Sequence, residues 1–238
     1  MLPLKDDVPS RSFPSVTVTL ITLNAAVFAY QASLAMGPEP VASRAAEAFV
    51  TEFGAIPCRI TASCVSPDDF PPAVVTIFSA MFLHGGLLHI AGNMLYLWIF
   101  GDNVEDSLGH GRFLLFYLLS GVAAAGAQTL VGPRSSIPMI GASGAISGVL
   151  GAYLVLFPYA RVLVLLIFGF FVRLVYVPAV IVLGFWIVVQ FINGLVTVGA
   201  VASGVAETGG TAWFAHIGGF LAGIVLLFLL RPRRSARL

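Results

Sequence analysis

Apolar residues gather along this chain into runs about as long as a bilayer is thick, and polar residues are confined to the stretches between them. A helix needs roughly 17 to 20 apolar residues to cross the hydrocarbon core. We therefore predict six transmembrane helices, near Val16–Met36, Leu87–Gly101, Phe113–Val131, Gly141–Phe157, Leu174–Val198 and Thr211–Leu230. The second run is short by itself, so its helix is expected to extend past Gly101.

Two other apolar runs, Ala73–Leu83 and Val162–Val172, have only eleven residues each. Because they are too short to span, we expect them to lie in the membrane interface or to re-enter the bilayer. The first long run could alternatively be a cleaved signal peptide. Its long apolar core and weakly basic flank favour a retained transmembrane helix.

The composition describes an integral membrane protein. Hydrophobic residues make up 58% of the chain, charged residues 10%, and the mean hydropathy is +0.98, whereas a soluble domain carries about 25% charged residues. The net charge of +1 and the scattered cations argue against a nucleic-acid partner, which would require a basic face. A length of 238 residues fits a single membrane domain over residues 1–238, without a separate soluble module.

The cations predict an orientation. An even number of spans places both termini on one side, and nine of the twelve lysines and arginines then share that side, namely Lys5, Arg11, Arg112, Arg161, Arg173, Arg231, Arg233, Arg234 and Arg237. The opposite side holds Arg44, Arg59 and Arg134. Cytoplasmic loops carry the excess of positive charge, so both termini are expected in the cytoplasm.

The polar stretch Gly37–Pro72 then becomes a long external loop, and it contains both cysteines, Cys58 and Cys64. In an oxidising compartment the two could form a disulfide that stabilises the fold by roughly 2 kcal/mol. Two unpaired thiols are the alternative. The sequence does not decide between them.

A serine in a glycine frame, Gly141-Ala142-Ser143-Gly144, opens the fourth predicted span. Glycines recur three or four residues apart through Gly151, which forms a smooth face for close helix contact. Ser143 stands at the helix N-terminus, where free backbone N–H groups and the positive end of the helix dipole can stabilise an oxyanion. We interpret the glycines as packing residues and Ser143 as a candidate nucleophile.

The last predicted span contains a histidine, His216, in the stretch Ala215-His-Ile-Gly-Gly219. A titratable side chain in hydrocarbon is costly, so a functional role is its default interpretation. At 1.5 Å per residue, Ser143 and His216 both lie about 8 Å below the outer edge of the bilayer. His216 is therefore a candidate general base. Taken alone, it could instead bond a backbone carbonyl or take part in a proton relay.

His89 and Asn93 are four residues apart and so share one face of the second predicted helix. An imidazole and an amide are suitable donors to a tetrahedral oxyanion. A metal site would need a carboxylate or a third imidazole on that face, and none is nearby in the sequence, so no metal is expected. His84 precedes the helix, where it caps or braces the loop.

In this order and within six spans, these motifs resemble the rhomboid family of intramembrane serine proteases over about residues 15–230. The run Gly101–Gly109, with Glu105 and Asp106, also resembles the family. The resemblance implies an all-α membrane protein, a six-helix bundle with a long first external loop. It implies Ser143 as nucleophile, His216 as general base, and His89, Asn93 and the Ser143 backbone N–H as the oxyanion site.

The same resemblance implies cleavage of single-pass membrane proteins near the outer bilayer edge, without a cofactor. The enzyme would lie in a cell membrane, expected to be a bacterial plasma membrane, with its active site open to the external side. A catalytically silent protein that binds or escorts membrane clients is the alternative. A proton-coupled transporter is disfavoured because neither intramembrane carboxylates nor inverted repeats are visible.

Two positions depart from the family pattern. Many relatives carry Trp-Arg in the first external loop where this chain has Val75-Thr76, which leaves open how that loop is anchored. Some relatives support the catalytic histidine with an aromatic ring one turn after the nucleophile, and here that position is Ser147. Other packing or water would then have to hold His216.

Overall fold

The computed structural model describes residues 1–38, 40–168, 171–203 and 211–232. Its helices are α1 (Ser15–Leu34), α2 (Val41–Phe53), α3 (Pro57–Ile60), α4 (Ala73–Ser79), α5 (Leu87–Leu108), α6 (His110–Val131), α7 (Ser143–Leu156), α8 (Ala179–Ala202) and α9 (Trp213–Leu230). A 3₁₀ turn, Ala80–Phe82, continues α4. The strands β1 (Leu2–Lys5), β2 (Arg161–Phe168) and β3 (Phe171–Pro178) form an antiparallel sheet in the order β1-β2-β3.

Each of the six predicted spans contains a helix, but the helices differ in length. Among the described residues, α1, α6, α8 and α9 are long and apolar enough to cross a bilayer. The segment Ala73–Phe82 meets α5 at 85°, and the bent pair is a fifth candidate. Helix α7 is apolar but has only 14 residues, a length of about 21 Å. The chain is therefore a multi-pass membrane protein, and helix length alone does not support six full spans.

The segment between α7 and α8 is an antiparallel hairpin and corrects one predicted boundary. The short apolar run Val162–Val172 belongs to this hairpin of β2 and β3. The predicted span Leu174–Val198 starts too early, because Leu174 to Pro178 are in β3 and the helix begins at Ala179. Short apolar runs do not distinguish a strand from a helix, and valine, isoleucine and aromatic side chains favour the strand. The protein is mostly helical, but the all-α prediction missed this sheet.

Helix α7 lies at the centre of the bundle, in contact with α5, α6 and α9. Its contact with α9 is made by glycines. A Cβ atom added at Gly219 would collide with the backbone carbonyl of Gly144, and one added at Gly223 would collide with that of Gly148. The backbones of the two helices thus touch directly, as the glycine pattern predicted.

Helix α1 is attached to α5 by a buried carboxylate. Glu105 is 1% exposed and accepts the backbone N–H groups of Val16 and Thr17 at 2.9 and 2.8 Å. It also accepts the hydroxyl of Thr17 at 2.7 Å and lies 2.6 Å from His110 Nδ1. A carboxylate at a helix N-terminus satisfies free donors and complements the helix dipole. The family-like run Gly101–Gly109 therefore has a structural role here.

The region between α1 and α4 is anchored by a disulfide and an arginine. Cys58 and Cys64 are bonded, with an S–S distance of 2.09 Å, which settles the alternative that the sequence left open. The guanidinium of Arg59 donates to the carbonyls of Thr51 and Pro71 at 3.2 and 3.0 Å and lies 5.0 Å from the centre of the Phe70 ring. These contacts hold the segment without the Trp-Arg pair of relatives.

Different segments of the chain are in contact at the two ends of the bundle. At one end β1 pairs with β2, and Asp106 accepts the backbone N–H groups of Arg11 and Ser12. At the other end Thr61 donates its hydroxyl to the Pro133 carbonyl, and the Cys58 N–H donates to Ser135. Lys5, Arg11 and Arg161 belong to the first group of segments, and Arg59 and Arg134 to the second. Arg233, Arg234 and Arg237 lie outside the described residues.

We expect Gly219→Ala to lower the melting temperature in detergent, because the added methyl group would force α7 and α9 apart. Overpacking of this kind costs roughly 1 to 3 kcal/mol. Gly184→Ala in α8 is the matched control, since a Cβ there meets no atom within 4 Å. Equal melting temperatures of the two variants, measured by thermal unfolding, would contradict the direct contact of the helices.

Candidate active site

Ser143 is the first residue of α7, and the turn before it depends on a glycine. Gly141 has a φ of +118°, in the region that side chains disfavour. A Cβ at this position would lie 2.8 Å from His89 Nε2 and 3.7 Å from Ser143 Oγ. Only a glycine therefore lets the imidazole of His89 approach the turn that carries the serine.

The structure brings Ser143 and His216 into contact. His216 Nε2 lies 2.8 Å from Ser143 Oγ, although the two residues are 73 positions apart in the sequence. His216 is in the first turns of α9, next to the glycine contacts that join α9 to α7. The distance is that of a hydrogen bond between a serine and a base able to remove its proton.

A third residue, Gln190, contacts the other side of the imidazole. Its Oε1 lies 2.8 Å from His216 Nδ1, and its Nε2 donates to the Trp186 carbonyl at 3.2 Å. Gln190 is in α8 and only 5% exposed. Sequence reasoning missed it. The available signal was an amide in a largely apolar helix, which also holds the amide of Asn193. The sequence does not tell which side chain of another helix either amide faces.

Aromatic rings surround the same histidine. The ring centroids of Trp186 and His216 are 5.9 Å apart with a 38° angle between planes, and Trp213 meets the ring edge-on at 6.3 Å. Ser147, at the position where some relatives place an aromatic residue, donates its hydroxyl to the Ser143 carbonyl at 2.6 Å. The support for His216 thus comes from α8 and α9 and not from α7.

His89 is placed as a hydrogen-bond donor. The Gly85 backbone N–H donates to His89 Nδ1 at 3.1 Å, so the neutral ring carries its hydrogen on Nε2, the nitrogen that faces Gly141. His84 is fully buried behind it, with ring centroids 5.1 Å apart. Gln31 accepts the His84 N–H and donates to its carbonyl. The Gln31 side chain therefore braces this turn through the His84 backbone, and the His84 ring packs against that of His89.

Asn93 lies one turn after His89 in α5. It is 7% exposed, its amide donates to the His89 carbonyl at 2.9 Å, and it does not line the cavity described next. One of its two amide hydrogens is therefore used within its own helix. The structure brings Ser143, His216 and His89 together at one cavity, and the Asn93 side chain is hydrogen-bonded to the His89 backbone.

A cavity of about 750 Å³ opens beside these side chains. Ser143, His216 and His89 line it together with parts of α3, α8, the α6–α7 loop and the start of α9, including Pro57, Pro138, Met139, Thr197, Val198 and Phe214. Most of the wall is apolar, which suits a stretch of apolar polypeptide. Within the described ranges, no three His, Cys, Asp or Glu side chains are arranged to hold a metal ion.

Comparisons with known proteins place the chain in a family. Residues 71–233, more than half of the chain, match the Rhomboid domain. The chain is 31% identical over 167 residues to the mitochondrial Rhomboid protein 1 of Saccharomyces cerevisiae and 45% identical over 78 residues to the Rhomboid protease GluP of Bacillus subtilis. It is also 30% identical over 175 residues to the chloroplastic Rhomboid-like protein 11 of Arabidopsis thaliana. The chain belongs to the rhomboid family.

The alignments cover only part of these relatives. They include 66%, 33% and 69% of this chain, and 42%, 15% and 55% of the yeast, Bacillus and Arabidopsis proteins. One of the three is named a protease and another only rhomboid-like. Family membership thus identifies the class of protein, and its activity has to be argued from the site.

Proposed function

We propose that this protein is an intramembrane serine endopeptidase that cleaves transmembrane segments of single-pass membrane proteins with a Ser143–His216 dyad. The observation that carries the proposal is the 2.8 Å contact between Ser143 Oγ and His216 Nε2 at a helix N-terminus beside an apolar cavity. The Bacillus relative named a protease adds support. An escort protein would need the cavity but not a nucleophile in contact with a base.

The dyad supplies both proton transfers. Ser143 Oγ attacks the scissile carbonyl carbon while its proton passes to His216 Nε2, and the carbonyl π electrons move to the oxygen. When the tetrahedral intermediate collapses, the C–N bond breaks and the leaving amine takes the proton from His216. Water then attacks the acyl-enzyme ester, gives a proton to His216, and the acid product leaves as Ser143 regains its hydrogen. The reaction needs no cofactor.

The oxyanion would be stabilised by donors that face the Ser143 turn. The Ser143 N–H has no partner within its helix, because it is the first residue of α7, and His89 Nε2 carries a hydrogen toward Gly141. Asn93 would contribute its second amide hydrogen. Each such donor is commonly worth a factor of about 10²–10³ in rate.

The proposed architecture has six transmembrane helices, with α5, α7 and the four long helices as spans. Both termini would be cytoplasmic, in a bacterial plasma membrane, because the more basic end of the bundle carries β1 and the hairpin. The disulfide end would then face an oxidising compartment. The cavity opens near that end, since Pro57 and Ser135 line it, and the short α7 starts below the outer bilayer edge.

Ser143→Ala should abolish proteolysis and labelling by a fluorophosphonate while the protein remains folded, since it removes only the nucleophile. Ser147→Ala, one turn along the same helix, is the matched control and should still be labelled. The assay is in-gel fluorescence together with cleavage of a transmembrane substrate in liposomes. Normal turnover by Ser143→Ala would exclude Ser143. Absence of both labelling and cleavage in the parent would favour the escort function.

His216→Ala should behave like Ser143→Ala in the cleavage assay. Without a base the hydroxyl stays protonated and weakly nucleophilic, and such a base contributes roughly 10²–10⁴ in rate. The cleavage rate at saturating substrate measures the effect. A parental rate would show that another group accepts the proton.

Cys58 and Cys64 should be labelled by a membrane-impermeant maleimide on intact cells once their disulfide has been reduced. The reason is the proposed external position of their loop, which holds five acidic residues and two arginines between the first two spans. Labelling without reduction would contradict the disulfide. Labelling only after cell lysis would reverse the topology.

Asn93→Ala should lower kcat by roughly 10- to 10³-fold with little change in KM or melting temperature, if its amide donates only in the transition state. Asn24→Ala is the matched control, because Asn24 is also a buried helical amide that donates to a carbonyl one turn back, at 2.8 Å. A lowered melting temperature with unchanged kcat would show that Asn93 serves only packing.

A further inference from the structure

The imidazole of His216 has a polar partner on each nitrogen. Ser143 Oγ is 2.8 Å from Nε2, and Gln190 Oε1 is 2.8 Å from Nδ1. Ser143 is in α7, Gln190 in α8 and His216 in α9. They form a continuous hydrogen-bonded chain in the order Ser143, His216, Gln190.

The contacts of Gln190 determine which way its amide faces. Its Nε2 lies 3.2 Å from the Trp186 carbonyl, and a carbonyl can only accept a hydrogen bond. The amide nitrogen must therefore face Trp186, and the amide oxygen faces His216. An amide oxygen accepts and cannot donate.

This orientation selects the tautomer of His216. Because Gln190 Oε1 only accepts, Nδ1 of the neutral imidazole must carry the hydrogen, and Nε2 then has a free lone pair. That lone pair points at Ser143 Oγ, where a general base needs it. The opposite tautomer would lose the bond to Gln190 and would present an N–H to the serine.

Because Gln190 is buried, loss of its hydrogen bond to His216 would be energetically unfavourable. Gln190 is 5% exposed in an apolar helix, and an unsatisfied buried amide costs roughly 1 to 3 kcal/mol. Ser147 is bonded to its own helix, so apart from Ser143 itself no described α7 side chain supports the ring through a hydrogen bond. The hydrogen bond from Gln190 provides that support from α8.

We propose that Gln190 is a positioning residue for the general base, holding His216 in the tautomer and orientation that accept the serine proton. The inference rests on the proposed proteolytic function. Unlike a carboxylate in this position, the amide supplies orientation without a full charge inside the membrane. No other residue on α8 contacts the imidazole through a hydrogen bond in the part of the chain that the structure describes.

Gln190→Met tests the proposal, because methionine keeps the length of the side chain but offers only a weak acceptor. We expect kcat to fall by roughly 10- to 10²-fold with KM unchanged, well below the factor of about 10⁴ seen when a serine protease is forced into the wrong tautomer. Asn193→Leu is the matched control. Asn193 is in the same helix, its amide donates to the Val189 carbonyl, and it is not among the residues that line the cavity.

Gln190→Glu provides the rescue. A carboxylate accepts the same Nδ1–H, so kcat at alkaline pH should recover above that of Gln190→Met. The ionised carboxylate introduced by Gln190→Glu also stabilises the protonated form of His216. The activity lost when His216 is protonated should therefore disappear at a higher pH than in the parent, which moves the acid limb of the pH profile to higher pH. His89 lines the same cavity as His216, and it is unchanged in all variants. If Gln190 only bridged helices, Gln190→Glu would give no recovery, which would overturn the proposal.

A spectroscopic readout separates this inference from the proposed function. In protein labelled with ¹⁵N-histidine, which has four such residues, the His216 signals identified by comparison with His216→Ala should report hydrogen on Nδ1. Gln190→Met should lose that single tautomer. Absence of cleavage by the parent with this spectral change would reject the proteolytic function and keep the positioning role. An unchanged tautomer together with a parental kcat would reject the positioning role.

Discussion

The direct backbone contact between α7 and α9 is the constraint on which the candidate site depends. Gly144 meets Gly219, and Gly148 meets Gly223, at distances that leave no space for a methyl group. Apolar side chains cannot drive this association in lipid, because lipid tails are equally apolar, and close packing of small residues takes that role. The contact brings a serine on one helix within hydrogen-bond distance of a histidine on the other.

Other elements of the bundle each contribute one further contact to the site. Helix α8 contributes an amide to the far nitrogen of His216. The turn before α5 fixes the hydrogen of His89 on the nitrogen that faces Gly141, through a backbone N–H. Neither arrangement uses a charged group. The polarity of the site therefore comes from oriented neutral donors and acceptors, which are less costly to bury in a membrane than ions.

The parts of the site that the sequence predicted are those with a local pattern. Ser143 and His216 stood out because a glycine frame and a titratable residue are unusual in apolar helices, and their depth could be calculated from helix rise. Gln190 could not be found in this way, since its role depends on a contact between two helices, with a residue 26 positions away in the sequence. The hairpin after α7 was missed because its apolar residues fit either secondary structure.

The sheet has a consequence for the mechanics of the molecule. Strand β2 is hydrogen-bonded on both sides, to β1 and to β3, and the hairpin that contains it is the covalent link between α7 and α8. Leu2 pairs with Leu165 across the chain. The connection is therefore held by hydrogen bonds along both edges of β2, which makes it stiffer than an unpaired loop. A stiff connection limits how far α7, which carries Ser143, can slide along α8, which carries Gln190. Strands β2 and β3 exert this effect although they do not line the cavity.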